Sequence, residues 1–205
     1  MTKNAYGGSA LQTSLPGFDA PSAPTDRLFF AIFPDSGAAS QVDQLAEQLR
    51  TVHGLKGKPL QTERFHITLH HLGDFVGLPP HIVAMAMEAG ASVIQQPFQI
   101  ALDRAMSFVA RPGKNPYVLL GGGDGVAELI GFQLALGDAM AKTGLKVGKT
   151  KSGYTPHVTL LYDEHSVAEH PVEVLNWTAR EFVLVHSLLG QTKHVPLARW
   201  TLAPR

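Results

Sequence analysis

The chain has 205 residues, 17 Lys and Arg against 17 Asp and Glu, 44% hydrophobic residues and no cysteine. The missing cysteine excludes disulfides, thiolate nucleophiles and cysteine-ligated metals. The balanced charge argues against global attraction to a long polyanion, since such affinity comes largely from neutralising phosphates, and fits a small ligand or the end of a strand better.

Residues 1–26 hold Gly7-Gly8-Ser9, Pro16-Gly17 and Pro21-Ser22-Ala23-Pro24, the composition of a flexible leader. Residues 27–205 then form the expected single folded domain. No apolar run approaches the roughly 20 residues that span a bilayer, and Lys3 leads into no apolar signal core. A soluble, cytoplasmic protein without an obligate protein partner is expected. The run Arg27-Leu28-Phe29-Phe30-Ala31-Ile32-Phe33, stopped by Pro34, predicts a strand buried on both faces. Val42, Leu45, Leu49 and Val52 predict a helix over 37–52. A strand over 66–72 is closed by Gly73-Asp74, and Pro79-Pro80 opens a helix to about Val93. Residues 97–109 predict a strand of imperfect alternation, with a bulge or bend. Pro112-Gly113-Lys114-Asn115-Pro116 turns the chain into a strand over 117–120, giving a hairpin. The glycines from Gly121 to Gly125 lack the spaced Lys-Ser/Thr of a phosphate loop and predict a strand-to-helix connection. A helix from about Val126 to Thr143 presents Leu129, Phe132, Leu136 and Met140. Strands follow over 154–162, 181–189 and 197–202, the last two joined by a turn at Gly190-Gln191-Thr192-Lys193.

Two tetrapeptides stand out, His66-Ile67-Thr68-Leu69 and His157-Val158-Thr159-Leu160, 91 positions apart. Each lies in a predicted strand, where alternate side chains face opposite ways. Histidine and threonine therefore share one face, and the β-branched residue and leucine share the other. A lone histidine beside apolar residues is most often a hydrogen-bonded structural group. A second copy with the same threonine two positions later is not explained by strand propensity, which accepts Val or Ile at these positions. Imidazole suits proton transfer because its ordinary pKa of about 6.5 lies near neutrality. A threonine hydroxyl can donate to a phosphate oxygen as charge develops there. The elements around the two motifs nearly repeat, predicting two related lobes that bring four groups together.

Other residues are candidates for contact with substrate. Phe65 and Tyr154 precede the motifs, where either could stack on a base or close the core edge. Lys149 and Lys151 precede the second motif and could meet phosphate, or lie on a solvated loop. Arg64 and Arg111 are isolated arginines, usually a surface feature. In an ideal strand His70 follows the register of His66 and Thr68 while His71 points oppositely. No His-Glu-x-x-His motif supports a metal centre.

On these residues the chain resembles the two-histidine phosphoesterases, in particular the RNA 2',3'-cyclic phosphodiesterases historically called 2'-5' RNA ligases. Arg27 to Ile32, Leu72-Gly73-Asp74, Tyr154-Thr155-Pro156 and Val183-Leu184-Val185-His186-Ser187 reinforce the likeness, which covers 27–202. In place of the arginine that often precedes the second motif the chain has Lys149 or Lys151. The resemblance implies an α+β, bilobed fold of two antiparallel-rich sheets facing a central cleft, with helices on the outer faces. It implies catalysis by His66, Thr68, His157 and Thr159, with no cofactor and no metal, and His66 as acid and His157 as base. The implied reaction is hydrolysis of an RNA 2',3'-cyclic phosphate end to a 2'-phosphate, with reversible 2'-5' end joining in some members. The implied partner is an RNA end or a small cyclic-phosphate nucleotide. Alternatives are a related phosphodiesterase acting on another cyclic phosphate or a 2'-5' oligonucleotide, and a noncatalytic RNA-end binding module.

Overall fold

A computed structural model describes residues 23–109, 113–146 and 153–203. Residues 1–22 of the expected leader lie outside this description. Its last residues belong to the folded body. The Thr25 amide donates to the Phe75 carbonyl and its carbonyl accepts from Leu189, while the buried Asp26 carboxylate pairs with His186 Nε2 at 2.5 Å.

The element order is β1 (Asp26–Ile32), α1 (Ser36–Val52), β2 (Ile67–Phe75), α2 (Pro80–Ser92), β3 (Phe98–Ser107), β4 (Asn115–Leu120), α3 (Ala127–Lys142), β5 (His157–Asp163), β6 (His170–Ala179), β7 (Glu181–Leu188) and β8 (Lys193–Thr201). The fold is α+β, with antiparallel strand pairing and helices packed on the outside. The expected two separate sheets are instead one eight-stranded sheet of order β6-β3-β4-β5-β2-β1-β7-β8. Its halves meet at a single bridged pair, Ile67 with Val158, between the two motif strands. The order is palindromic in kind: each motif strand is inner, next to β1 or β4, then β7 or β3, then β8 or β6. Each motif strand also follows a strand and a helix, β1-α1-β2 and β4-α3-β5.

Alternation sets the two faces. Leu28, Phe30 and Ile32 of β1, Ile67 and Leu69 of β2, Val158 and Leu160 of β5, and Phe182 and Leu184 of β7 pack with all three helices in one contiguous core. The helices contribute Val42, Ala46 and Leu49, then Ala86 and Ala89, then Leu129, Phe132, Leu136 and Met140. Burying each large side chain contributes about 1.5–3 kcal/mol. On the other face, Phe29, Ala31, Val183 and Val185 form a smaller cluster with Phe33. The two clusters explain why β1 is apolar without interruption. Asp35 caps α1 by accepting from the Ala38 amide at 2.9 Å, and Pro80 opens α2, where its missing N–H costs nothing.

Three elements differ from expectation, the first being β5, which begins at His157 and not at residue 154. β6 is an edge strand whose residues alternate between buried Leu175, Trp177 and Ala179 and outward polar groups, with Pro171 near its start. Proline is tolerated there because an edge strand leaves one row of amides unpaired. β8 begins four residues earlier than predicted, at Lys193. The glycine run is the expected connection, and the reason is steric: a Cβ on Gly121 would lie 2.2 Å from the Ala101 carbonyl oxygen.

Candidate active site

The Ile67–Val158 bridge fixes the register of the two motifs. Counting outward along antiparallel strands, His66 lies across from Thr159, and Thr68 across from His157. Ile67, Leu69, Val158 and Leu160 are buried in the helix-covered core. The two histidines and two threonines therefore share the opposite, open face, and all four are partly buried. One imidazole and one hydroxyl from each motif stand diagonally about a single point of the sheet.

Both rings are held in the same way. His66 Nδ1 donates to the Arg64 carbonyl at 2.7 Å, and His157 Nδ1 donates to the Thr155 carbonyl at 2.8 Å. A carbonyl only accepts, so in each neutral ring the proton sits on Nδ1 and Nε2 carries the lone pair. Neither threonine hydroxyl has a hydrogen-bond partner among the described residues, which leaves both available to a ligand. Tyr154 Oη donates to the Thr68 carbonyl at 3.0 Å, tying the approach to β5 onto β2.

The aromatic setting differs between the rings. His66 stacks on Phe29 with centroids 5.0 Å apart, contacts Phe33 at 5.7 Å and meets the His194 ring edge-on at 5.3 Å. His157 has Phe108 edge-on at 5.0 Å. Burial pushes the His66 imidazolium down to about 4, with the charges of His194, His157 and Arg64 adding to the effect against the Arg64 carbonyl bond. Burial also lowers His157, against its bond to Thr155. Near neutrality both Nε2 atoms of the free protein are bare bases.

The remaining sequence candidates separate. Phe65 is fully buried in the core and offers no ring face to a base; its parity with Ile67 and Leu69 places it there. The Tyr154 ring packs against the same core, so its part is to position β2 through the hydroxyl. Lys149, Lys151 and Arg111 lie outside the described residues. Arg64 contributes its carbonyl to His66. His70 and His71 exchange the places expected of them. The β1–β2 register shifts between Phe30 and Ala31, so His70 pairs with core-facing Phe30 and His71 with Phe29. His70 is buried, with Nε2 donating to the Gln133 carbonyl of α3 at 2.7 Å, and His71 pairs with Asp74 at 2.9 Å. The extra residue of a β-bulge reverses the alternation beyond it.

Phe29, Phe33, Phe108 and His194 were not singled out from the sequence. The first two share the parity of Ala31 on the face opposite Leu28, Phe30 and Ile32, a signal present in β1. Phe108 and His194 become neighbours of the motifs only through long-range pairing.

The family model of the 2'-5' RNA ligase superfamily matches residues 28–189. No curated protein sequence matches the chain. Among solved structures, one described as a phosphoesterase superposes with a TM-score of 0.67 at 26% identity, covering 89% of this chain and 100% of that one. Escherichia coli LigT in apo form gives 0.66 at 26% identity, with the same coverage. The LigT complex with NADP+ gives 0.64 at 27%, again covering 89% and 100%. With both motifs on one face of the sheet and the family match spanning most of the fold, the chain belongs to the 2'-5' RNA ligase superfamily, whose members are two-histidine phosphoesterases.

Proposed function

We propose that this protein hydrolyses RNA 2',3'-cyclic phosphate ends to 2'-phosphates without a metal, in the cytoplasm, with reversible 2'-5' end joining where the 5'-hydroxyl of a second RNA end takes the place of water as nucleophile. The observation that carries the proposal is the matched pair of imidazoles, each with Nδ1 pinned to the carbonyl two residues earlier and Nε2 bare, flanking the one bridge that joins the two motif strands. The two half-sheets would close on the phosphate as the walls of a cleft. His157 takes a proton from water as the water oxygen attacks phosphorus opposite the 3'-oxygen. His66, protonated at Nε2, delivers a proton to that leaving 3'-oxygen. Thr68 and Thr159 donate to the non-bridging oxygens, where negative charge grows. LigT structures with NADP+ and with 3'-AMP are consistent with a nucleotide in such a site.

Acid and base groups each contribute about 10²–10⁴-fold, or about 3–5.5 kcal/mol. The test is an assay in chelator with an oligoribonucleotide ending in a 2',3'-cyclic phosphate, the 2'- and 3'-phosphate products being resolved. A 2'-phosphate is expected, with turnover lost in folded His66→Ala and His157→Ala. A 3'-phosphate product, no product, or parental rates in both variants would reject the proposal.

A further inference from the structure

A cavity of ≈ 880 Å³ opens beside His66, between the 3₁₀ turn at Thr62–Arg64 and the outer strands β7 and β8. It reaches the imidazole through three neighbours: Phe33 and His194 touch the ring, and Arg64 holds Nδ1. We propose that this cavity is a subsite for the penultimate nucleotide, on the 5' side of the one that bears the reacting phosphate, which makes the preferred substrate an oligonucleotide end rather than a free mononucleotide. The proposal rests on the phosphoesterase function above and specifies its substrate.

Its charge supports that occupant. Arg64, Arg180, Lys193 and Arg199 line the cavity together with Asp35, Glu63 and Glu181. Arg199 is paired with Glu181, and Asp35 is engaged in capping α1. Among the described residues Arg64, Arg180 and Lys193 have no carboxylate partner, against the two carboxylates, Glu63 and Asp35, that have no cationic one, so the lining keeps an excess of positive charge. A chain of balanced overall charge thus concentrates free cations beside its catalytic face, where they would follow a phosphodiester backbone.

Its polar atoms support it independently. Arg64 Nε and both ring nitrogens of His194 are buried without a hydrogen-bond partner. Such orphaned groups cost about 1–3 kcal/mol each, which a phosphate oxygen or base edge reached by a small side-chain rotation would offset. Phe33 is partly exposed on the cavity wall with Val185 and Pro196, an apolar surface of the kind on which bases stack. The volume lies toward the upper end of the roughly 300–1,000 Å³ typical of ligand sites, sufficient for a nucleotide beyond the one being cleaved.

The test compares a nucleoside 2',3'-cyclic monophosphate with a pentaribonucleotide ending in the same nucleoside and cyclic phosphate. Wild-type kcat/KM is expected to favour the pentanucleotide by about tenfold or more, one charge-assisted contact or better. The Arg180→Ser/Lys193→Ser variant should lose most of that preference, and its salt dependence of pentanucleotide binding should flatten by about 1.4 in log–log slope. Lys142→Glu, at the end of α3, should keep the preference. Equal kcat/KM for the two substrates, or a preference untouched by the double variant, overturns the subsite while leaving the hydrolytic function standing. If neither substrate is cleaved the hydrolytic function fails, and fluorescence anisotropy of a labelled, 3'-phosphorylated pentanucleotide decides the subsite alone. Weaker binding in the double variant but not in Lys142→Glu supports it, and identical or absent binding overturns it.

Discussion

Lowering the pH should destabilise this protein by an amount part of which is traceable to one identifiable imidazole, His66. In the unfolded chain His66 titrates near 6.5, whereas burial holds it at about 4 in the folded state. Below pH 6.5 the unfolded state therefore binds a proton that the folded state refuses, so stability falls with pH until about 4 and is flat below it. At pH 5 the unfolded imidazole is almost fully protonated and the folded one about a tenth protonated. The ratio of the two binding factors is about 30, worth about 2 kcal/mol at about 1.36 kcal/mol per unit. His66→Gln keeps a side-chain amide that can donate to the Arg64 carbonyl but cannot titrate. Urea unfolding of both proteins at pH 7.5 and pH 5 isolates the effect, with wild type losing about 2 kcal/mol more than the variant. His157 and His194 are also depressed by burial, but folded His66 is nearly neutral at pH 5, so its removal leaves their field unchanged and their contributions cancel. Parallel losses in the two proteins would refute the buried, neutral His66.

Thr68→Val and Thr159→Val preserve strand shape while removing a donor to phosphate, so each should lower kcat/KM by about 10–100-fold, the worth of one hydrogen bond to a charged group, with unchanged circular dichroism. Tyr154→Phe removes the bond to the Thr68 carbonyl and should cost about 1 kcal/mol in urea unfolding, with turnover reduced because Thr68 is less firmly placed. Gly121→Ala forces a methyl to within 2.2 Å of a backbone oxygen; overpacking of this kind costs typically 1–3 kcal/mol, and thermal melting should register it without any change in nucleotide specificity.

How much was legible in the chain depended on the range of the interaction involved. The motif faces followed from alternation within four residues, and the structure keeps Ile67, Leu69, Val158 and Leu160 on the core side. The same parity rule, applied one step earlier, places Phe65 in the core and removes it from the list of stacking residues. It fails beyond Leu69, where the β1–β2 bulge turns His70 inward to α3 and His71 outward. Nothing in the letters there distinguishes the two imidazoles. β6 escaped because an edge strand needs only one apolar face, and its His170, Pro171, Glu173 and Asn176 read as a loop. Two separate sheets were expected, but their joining into one through a single residue pair is a property of register between segments 91 positions apart, and short-range periodicity carries no information about it.

The matching histidine and threonine of the two motifs also conceal unequal histidines, and the inequality bears on which is the acid. With His66 at about 4 in the free protein, roughly one molecule in a thousand carries its proton at pH 7. An acid role needs a rise of about three units, or about 4 kcal/mol, on substrate binding. A single phosphate charge about 4 Å away supplies about 4 kcal/mol at an effective dielectric of 20. The docked phosphate is therefore sufficient to arm His66, and the free protein need not hold the proton beforehand. pH profiles do not distinguish this arrangement from the reverse one, because acid and base exchanged give the same protonation count. The leaving group does distinguish them. The nitrophenolate of a nitrophenyl phosphodiester departs without a proton, so His66→Ala should recover most of its 10²–10⁴-fold loss on that substrate while His157→Ala should not. Recovery by His157→Ala instead would make His66 the base, the role that its low pKa fits without any help from the substrate.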